Sequence, residues 1–562
     1  GLLGNAGNAW AQSIRLDVNG VGNTQIPIAI PSFINEEGTG VAVSQIIMAD
    51  LERSGQLRRV DASGINMNEN SKPDFTLWRQ KIADALAAGS VAPSTSGGWD
   101  VHFSLWDVVR GNTLLQQTVS VAQGDLRLAA HRVADLIYEK LTGQKGIFTS
   151  RLAYITKSKG SYQLWITDSD GDGAQVALTS REPIISPTWS PRGDELAYVS
   201  FETGKPVVYI HEVANGKRRV IANFKGSNSA PAWAPDGQSL VVSLSRAGGT
   251  QLFRVSRTGG AAQQLTHSTS INTEASYSPD GAFIYFVSDR GGGPQIYRMS
   301  AAGGAAERIT FSGSYNISPS ISPDGRHMAY ISREGGGFKL RVMDLSSGES
   351  RAITQTLEDE RPSFAGNSRL IVYATRQAGA ELLMNTTLDG SVKTRLMTRR
   401  GDIREPSWGH LNNKKSTAAA DGSATGQDAD SSSTSRGVAP VEARSSSVKQ
   451  PSSNEERLVY FDYDSYIIKP EYTAVVAQNA AYLKADKTRK ATLEGHADAR
   501  GGREYNLALG QKRADAVRQA LSLLGVGDEQ LEAVSFGKEK PVALGMDEES
   551  HAQNRRVEIV YK

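Results

Sequence analysis

The 562-residue sequence contains no cysteine. That absence removes disulfides, thiolate metal sites, thiol nucleophiles and any acyl chain carried on an N-terminal cysteine, so no lipid anchor is expected. A surplus of one charge is missing too. The 62 basic residues face 60 acidic ones, a balance that speaks against a dedicated nucleic-acid partner. No run approaches the roughly 18 continuous apolar residues of a membrane-spanning helix. There is no G-x-S-x-G nucleophile elbow, and the eight histidines are scattered without H-x-x-x-H spacing, which leaves a serine peptidase and a catalytic metal without their residues. The acidic run at 168–173, DSDGDG, opens like a calcium loop, but its twelfth position is Thr179. Threonine cannot supply the bidentate carboxylate, so the run reads as a solvated hairpin tip. Neither cofactor nor metal is expected.

A chain this long exceeds a single hydrophobic core and must divide. Residues 1–11, GLLGNAGNAWA, close on the small-x-small form of a secretory cleavage site and read as a signal-peptide remnant, against the plainer reading of a Gly-rich start with no address. Residues 12–145 mix a buried strand (IPIAIPSF), amphipathic helices (41–55 and 125–141) and a hairpin (WDVHFSLWDVV with LLQQTVSV), the pattern of an α/β domain. Then a template repeats: SPTWSPRGDELAYVS, APAWAPDGQSLVVSL, EASYSPDGAFIYFVS, SPSISPDGRHMAYIS and a decayed RPSFAGNSRLIVYAT. Its large apolar position recurs at Trp189, Trp233, Tyr277, Ile321, Phe364 and Trp408, a period of about 44 residues that falls in the range of propeller blades. The first strand of this kind, RLAYIT, has no SPxW before it, and the last SPxW-like copy, EPSWGH, has no strand after it. A six-bladed β-propeller over 146–410, closed by its last strand completing its first blade, accounts for both. Residues 411–455 are rich in Ser, Ala, Thr, Gly and Asp and poor in large apolar groups, the composition of a disordered linker. Residues 456–562 alternate strands and helices as a small α+β domain.

Two resemblances attach to these segments. The repeated SPxWSPDG…LAYVS units, preceded by YEKLTGQKGIFTSRLAYI, resemble the TolB family of the Tol-Pal system over about 12–410. The resemblance implies a periplasmic, non-catalytic adaptor whose propeller mouth receives the OmpA-like domain of the peptidoglycan-associated lipoprotein and whose N-terminal segment engages TolA. The implied mouth contacts fall on Ser227, Ala230 and Thr273, in the loops that also carry Glu274, Glu360, Arg361 and Glu405. The same residues are read equally well as loop groups that fix blade geometry. The implied TolA segment holds Ile14, Arg15, Leu16, Asp17 and Val18. Its alternation suits strand addition to a partner sheet and also the first strand of its own domain.

The second set, VYFDYD, LEGHADARGGREYNLALGQKRADAV and NRRVEI, is similar to the OmpA-like domain over 456–562. In that family an Asp and an Arg clamp the zwitterion of diaminopimelate in the peptidoglycan peptide, and the matching positions are Asp498 and Arg513. A carboxylate for the ammonium and a guanidinium fork for the carboxylate are what such a ligand requires; a simple salt bridge between the two is the alternative. Phe461, Asp462, Tyr505 and Asn506 are expected around the pocket and Arg555 at its rim. The two families are normally separate chains, and the lipoprotein's acylated cysteine is absent here. The expected function is a Tol-Pal adaptor that links TolA, an OmpA-like domain and the wall in support of outer-membrane integrity and constriction at division. A propeller-assisted peptidoglycan hydrolase or a purely structural wall anchor are the rivals.

Overall fold

The computed structural model describes residues 16–18, 25–246, 248–396, 402–409, 441–443 and 455–562. The expected signal-peptide remnant lies outside them, as do Ile14 and Arg15 and nearly all of the expected linker. The chain divides into two units, residues 1–148 with 384–398 and residues 149–383 with 399–562. Among the described residues no helix is long and apolar enough to cross a membrane.

In the first unit a five-stranded sheet runs in the order Leu57–Val60, Ile26–Ala29, Ala85–Pro93, Gly98–Asp107, Asn112–Ala122. Its first two pairings are parallel and its last two antiparallel. The helices Val43–Arg53 and Leu126–Thr142 pack on each other, and Val43, Ile47 and Leu51 of the first and Val133 and Ile137 of the second are fully buried. Between them Asp50 is buried with Arg53 at 2.8 Å and His131 at 2.6 Å, a carboxylate surrounded by donors as burial requires. Leu16–Val18 is a strand that pairs antiparallel with Val392–Arg395, Leu16 opposite Thr394 and Val18 opposite Val392. It does not belong to the five-stranded sheet, so the reading of it as that domain's first strand is corrected.

The second unit contains the propeller apart from residues 384–398. Its sheets repeat one plan in which an inner strand, a fully buried second strand, a third strand and a short outer strand follow in order, as in Ile184–Trp189, Glu195–Ser200, Val207–Glu212 and Arg218–Ala222. The second strands are apolar on both faces because each sheet is covered by a neighbouring sheet on either side. The Ser-Pro-Asp-Gly turn is built by side chains: Ser278 donates to Asp280 at 2.5 Å, and Asp280 accepts from the Ala282 N–H at 3.0 Å. Asp402–Trp408 heads the sheet of Arg151–Ser158, Ser161–Asp168 and Gln175–Ser180, with Trp408 opposite Leu152. The end of the repeat thus closes onto its beginning. The outer edge of this sheet carries one more strand, Val441–Ala443, parallel to Gln175–Ser180. The expectation of an unstructured segment across 411–455 is corrected at these three residues.

The C-terminal domain has a four-stranded sheet ordered Leu458–Tyr460, Arg556–Tyr561, Ala491–His496, Leu531–Gly537, with the helices Thr473–Lys484 and Arg503–Leu523. Gly495 fixes the approach of the long helix: a Cβ there would lie 1.8 Å from the carbonyl oxygen of Gly510. That contact seats Arg513 beside the end of the strand Ala491–His496.

Candidate functional site

The inner propeller strands share a backbone irregularity. Ser186, Ala230, Glu274, Ser318, Arg361 and Glu405, at successive spacings of 43 or 44 residues, are all left-handed, with φ between 46° and 57°. Each lies where its strand slips register against the next, for example between Ser229 and Ala232. These are β-bulges, which re-aim a strand at the cost of local strain in non-glycine residues. A proline follows at five of the six positions, where a missing ladder N–H is tolerated. Four of them, Ala230, Glu274, Ser318 and Arg361, line a channel of about 690 Å³ together with Trp189, Trp233, Tyr277 and Trp408.

The start of the helix Arg503–Leu523 sits on this ring. Glu504, 2 % exposed, accepts from the Ser186 hydroxyl and, at 3.1 Å, from the Ala230 N–H. Burial pushes its carboxyl up to about 7, against the pull of the Ser186 hydrogen bond. The Ser186 N–H donates to Glu405, and Arg361 donates to the Ser186 hydroxyl at 3.1 Å. Next to Glu504, Arg503 binds Glu539 at 2.6 Å and faces Glu360 at 3.7 Å and Glu405 at 3.9 Å. Burial alone would lower the Arg503 guanidinium, but these three carboxylates outweigh it and raise it.

Around this centre the contact continues. Ser227 donates to Gln511 at 2.5 Å and accepts from the Ser535 N–H at 3.0 Å. Leu507, Val534 and Phe536 enter the apolar cluster of Trp233, Phe201 and Leu244, with Phe536 stacked on Phe201 at 5.5 Å. Lys205 pairs with Glu532 at 3.0 Å and Lys512 with Asp289 at 2.9 Å. Tyr315 meets Tyr505 edge-on at 5.5 Å. Gly501, at φ 84°, comes so near the Tyr315 hydroxyl that a Cβ would lie 2.3 Å from it; only glycine both accepts that φ and leaves the space.

The second feature is a crevice of about 10 Å³ lined by Asp498, Arg500, Tyr505, Asn506, Arg513, Tyr463 and Asp464 from the C-terminal domain and by Tyr315 from the propeller. Asp498 pairs with Arg500 at 2.5 Å and Arg555 at 3.2 Å. Burial works against its charge, but Arg500 and Arg555 prevail and hold its carboxyl below the usual range. Arg513 is wholly buried and donates to the carbonyls of Ser465 at 2.7 Å, His496 at 2.8 Å and Asp462 at 3.0 Å. Burial lowers its guanidinium to about 10.

Three family models match the chain: the TolB amino-terminal domain over residues 14–114, the TolB beta propeller domain over 138–412 and the OmpA family over 460–555. The Tol-Pal system protein TolB of Polaromonas sp. strain JS666 is 71 % identical over 401 residues, 71 % of this chain and 94 % of that one. The chain belongs to the TolB family. TolB of Dechloromonas aromatica is 59 % identical over 404 residues, 72 % of this chain and 95 % of its own. The crystal structure of TolB from Acinetobacter baumannii is 34 % identical with a TM-score of 0.65, covering 71 % of this chain and 100 % of that chain. The peptidoglycan-associated lipoprotein of Burkholderia pseudomallei is 63 % identical over 19 % of this chain and 90 % of its own, with a TM-score of 0.19. A TolB propeller and an OmpA-family domain are therefore joined in one polypeptide.

On the TolB propeller, Ser227, Ala230, Glu360, Arg361 and Glu405 gather at the contact with the OmpA-family domain, and the Glu274 carboxylate faces Gly502, whose Cβ would lie 3.5 Å away. Thr273 is buried and accepts from Ser243 at 3.1 Å. In the OmpA-family domain, Asp498, Tyr505, Asn506 and Arg513 share the crevice. Phe461 lies under the Arg513 guanidinium at 5.4 Å and its carbonyl accepts from Arg555 at 3.0 Å. Asp462 contributes its carbonyl to Arg513, while its side chain turns outward to Lys469 at 2.8 Å. The ion pairs of Asp498 are thus with Arg500 and Arg555, and a direct Asp498–Arg513 bridge is not what holds either group. Sequence reasoning missed Ser186, Tyr315, Arg500, Glu504, Leu507 and Phe536. The prolines recurring inside inner strands were the available signal for the bulge ring, and hence for Ser186.

Proposed function

We propose that this TolB-family chain is a non-catalytic Tol-Pal adaptor of the periplasm whose propeller mouth holds an OmpA-like domain, its own in this polypeptide, and whose OmpA-like domain binds the diaminopimelate peptide of the wall. The observation that carries it is Glu504 on the bulge ring. A buried carboxylate is stable only with donors aimed at it, and the strained ring of the mouth supplies two, the Ala230 backbone N–H and the Ser186 hydroxyl. Asp498, with Arg500 beside it, is the group for the ligand's ammonium; Arg513 acts mainly by holding the crevice walls together through three carbonyls. Leu16–Val18, with the residues before it, is the segment offered to TolA. In the cell these contacts serve outer-membrane integrity and constriction at division.

The two sites also exclude each other. Tyr315 closes the crevice to about 10 Å³, room for about one water, so a wall peptide would enter only after the OmpA-like domain leaves the mouth. Binding to purified sacculi by wild type and Asp498→Asn tests the assignment. The variant is expected to lose retention while staying folded, at a lowered melting temperature because Arg500 and Arg555 lose a charged partner, and full retention would overturn the site.

A further inference from the structure

Among the outer strands of the propeller sheets, Gln263–Gln264 has two residues and Ala306–Arg308 and Ser350–Ala352 three each, Val392–Arg395 has four and is paired with Leu16–Val18, and Arg218–Ala222 has five. Gln175–Ser180 has six, a longer row of backbone groups open to pairing with another chain. Val441–Ala443 takes that edge in parallel register, Val441 opposite Leu178 and Ala443 opposite Ser180. The sequence agrees with the geometry. Between 411 and 455 the only Leu, Ile, Val, Met or aromatic residues are Leu411, Val438, Val441 and Val448, and Pro440 stands immediately before the strand, a position where proline starts an edge strand without forfeiting ladder bonds.

We infer that the edge Gln175–Ser180 is a strand-addition surface whose occupant is the chain's own segment Val441–Ala443, and that this latch biases the C-terminal domain toward its own propeller mouth. The bias rests on the docking proposed above. Without the latch, the domain hangs from Gly409 to Glu455 by 46 peptide steps; with it, from Ala443 by 12. Effective concentration falls roughly as the −3/2 power of tether length once the tether can span the gap, so the latch raises it about sevenfold. A free OmpA-like domain or a wall peptide then competes against a correspondingly more populated closed form.

The test uses the full chain carrying Val441→Pro and Ala443→Pro, since proline has no N–H to give a ladder and is disfavoured inside a paired strand. Amide hydrogen exchange over residues 175–180 is expected to speed up. Affinity for a soluble muropeptide containing diaminopimelate is expected to rise by about sevenfold, since the closed form it competes with is less favoured. Unchanged exchange would overturn strand addition. Faster exchange with unchanged muropeptide affinity would overturn the latch. A wild-type chain that binds no muropeptide would instead refute the proposed wall binding, while the exchange measurement still decides the strand.

Discussion

Replacing Glu504 by glutamine isolates the proton that the docked contact should take up. The side chain keeps its shape, and its amide oxygen can still accept from Ser186 and Ala230, but it can no longer ionise. In the contact the carboxyl is pushed from 4.5 to about 7 by burial. The docked form therefore binds more protons than the open form between those values. Docking is fully favoured below pH 4.5 and loses stability as pH rises through 7. A difference of this size corresponds to at most about 3–4 kcal/mol, or roughly three-hundredfold in the closed-to-open ratio. The absence of cysteine makes the assay clean: fluorophores on Ala261→Cys and Leu523→Cys, both exposed, report the distance between propeller and C-terminal domain. The wild type should open progressively from pH 5 to pH 8, and Glu504→Gln should show a flatter profile and a more closed population at pH 8. Identical profiles for the two proteins would refute the assignment of Glu504 as the group that takes up a proton in the contact.

Other substitutions separate docking from folding. Tyr315→Ala removes the edge-on contact with Tyr505 and the acceptor for the Gly502 N–H at 3.4 Å; docking should weaken by about 1.5–3 kcal/mol, read as a shift toward the open label distance at fixed pH. Arg513→Ala removes the donor from the carbonyls of His496, Ser465 and Asp462, of which Asp462 keeps the Ser465 N–H, and should destabilise the C-terminal domain by about 2–4 kcal/mol, visible in denaturant unfolding. Raising salt should open the contact only slightly. Lys205–Glu532 and Lys512–Asp289 are partly exposed pairs worth about 0–1 kcal/mol each, while the Leu507 and Phe536 contacts are insensitive to ionic strength.

The propeller was legible because its information is repeated. The Ser-Pro-Asp-Gly turns at 278–281 and 322–325 satisfy their own backbone through Asp280 and Asp324, so the signal is local, and variants of it recur at 190–193, 234–237 and 365–368. The helices ended within a few residues of the expected places, since Gly143 at φ 72° and similar stops act locally as well. Ala85–Pro93 was not anticipated. Its sequence, ALAAGSVAP, has Val91 as its one β-branched residue and no aromatic one, and it is a strand because of its neighbours on both sides. At the candidate site the sequence supplied Asp498 and Arg513 but not their division of labour. That depends on which carbonyls converge on Arg513 from residues 462, 465 and 496, which is a property of tertiary packing. Glu504 was invisible for a related reason: an acid in the first turn of a helix is ordinary, and only the mouth 186–230 makes it a buried ligand. The three-residue strand at 441–443 carries too few residues for any periodicity to register.

The most direct measurement titrates a diaminopimelate-containing muropeptide into the doubly labelled full chain while following the interdomain distance. The distance should increase saturably, with the same midpoint as peptide binding, and Asp498→Asn should abolish both. Peptide binding at an unchanged interdomain distance would contradict the account, because the crevice closed by Tyr315 could then not be the wall-peptide site.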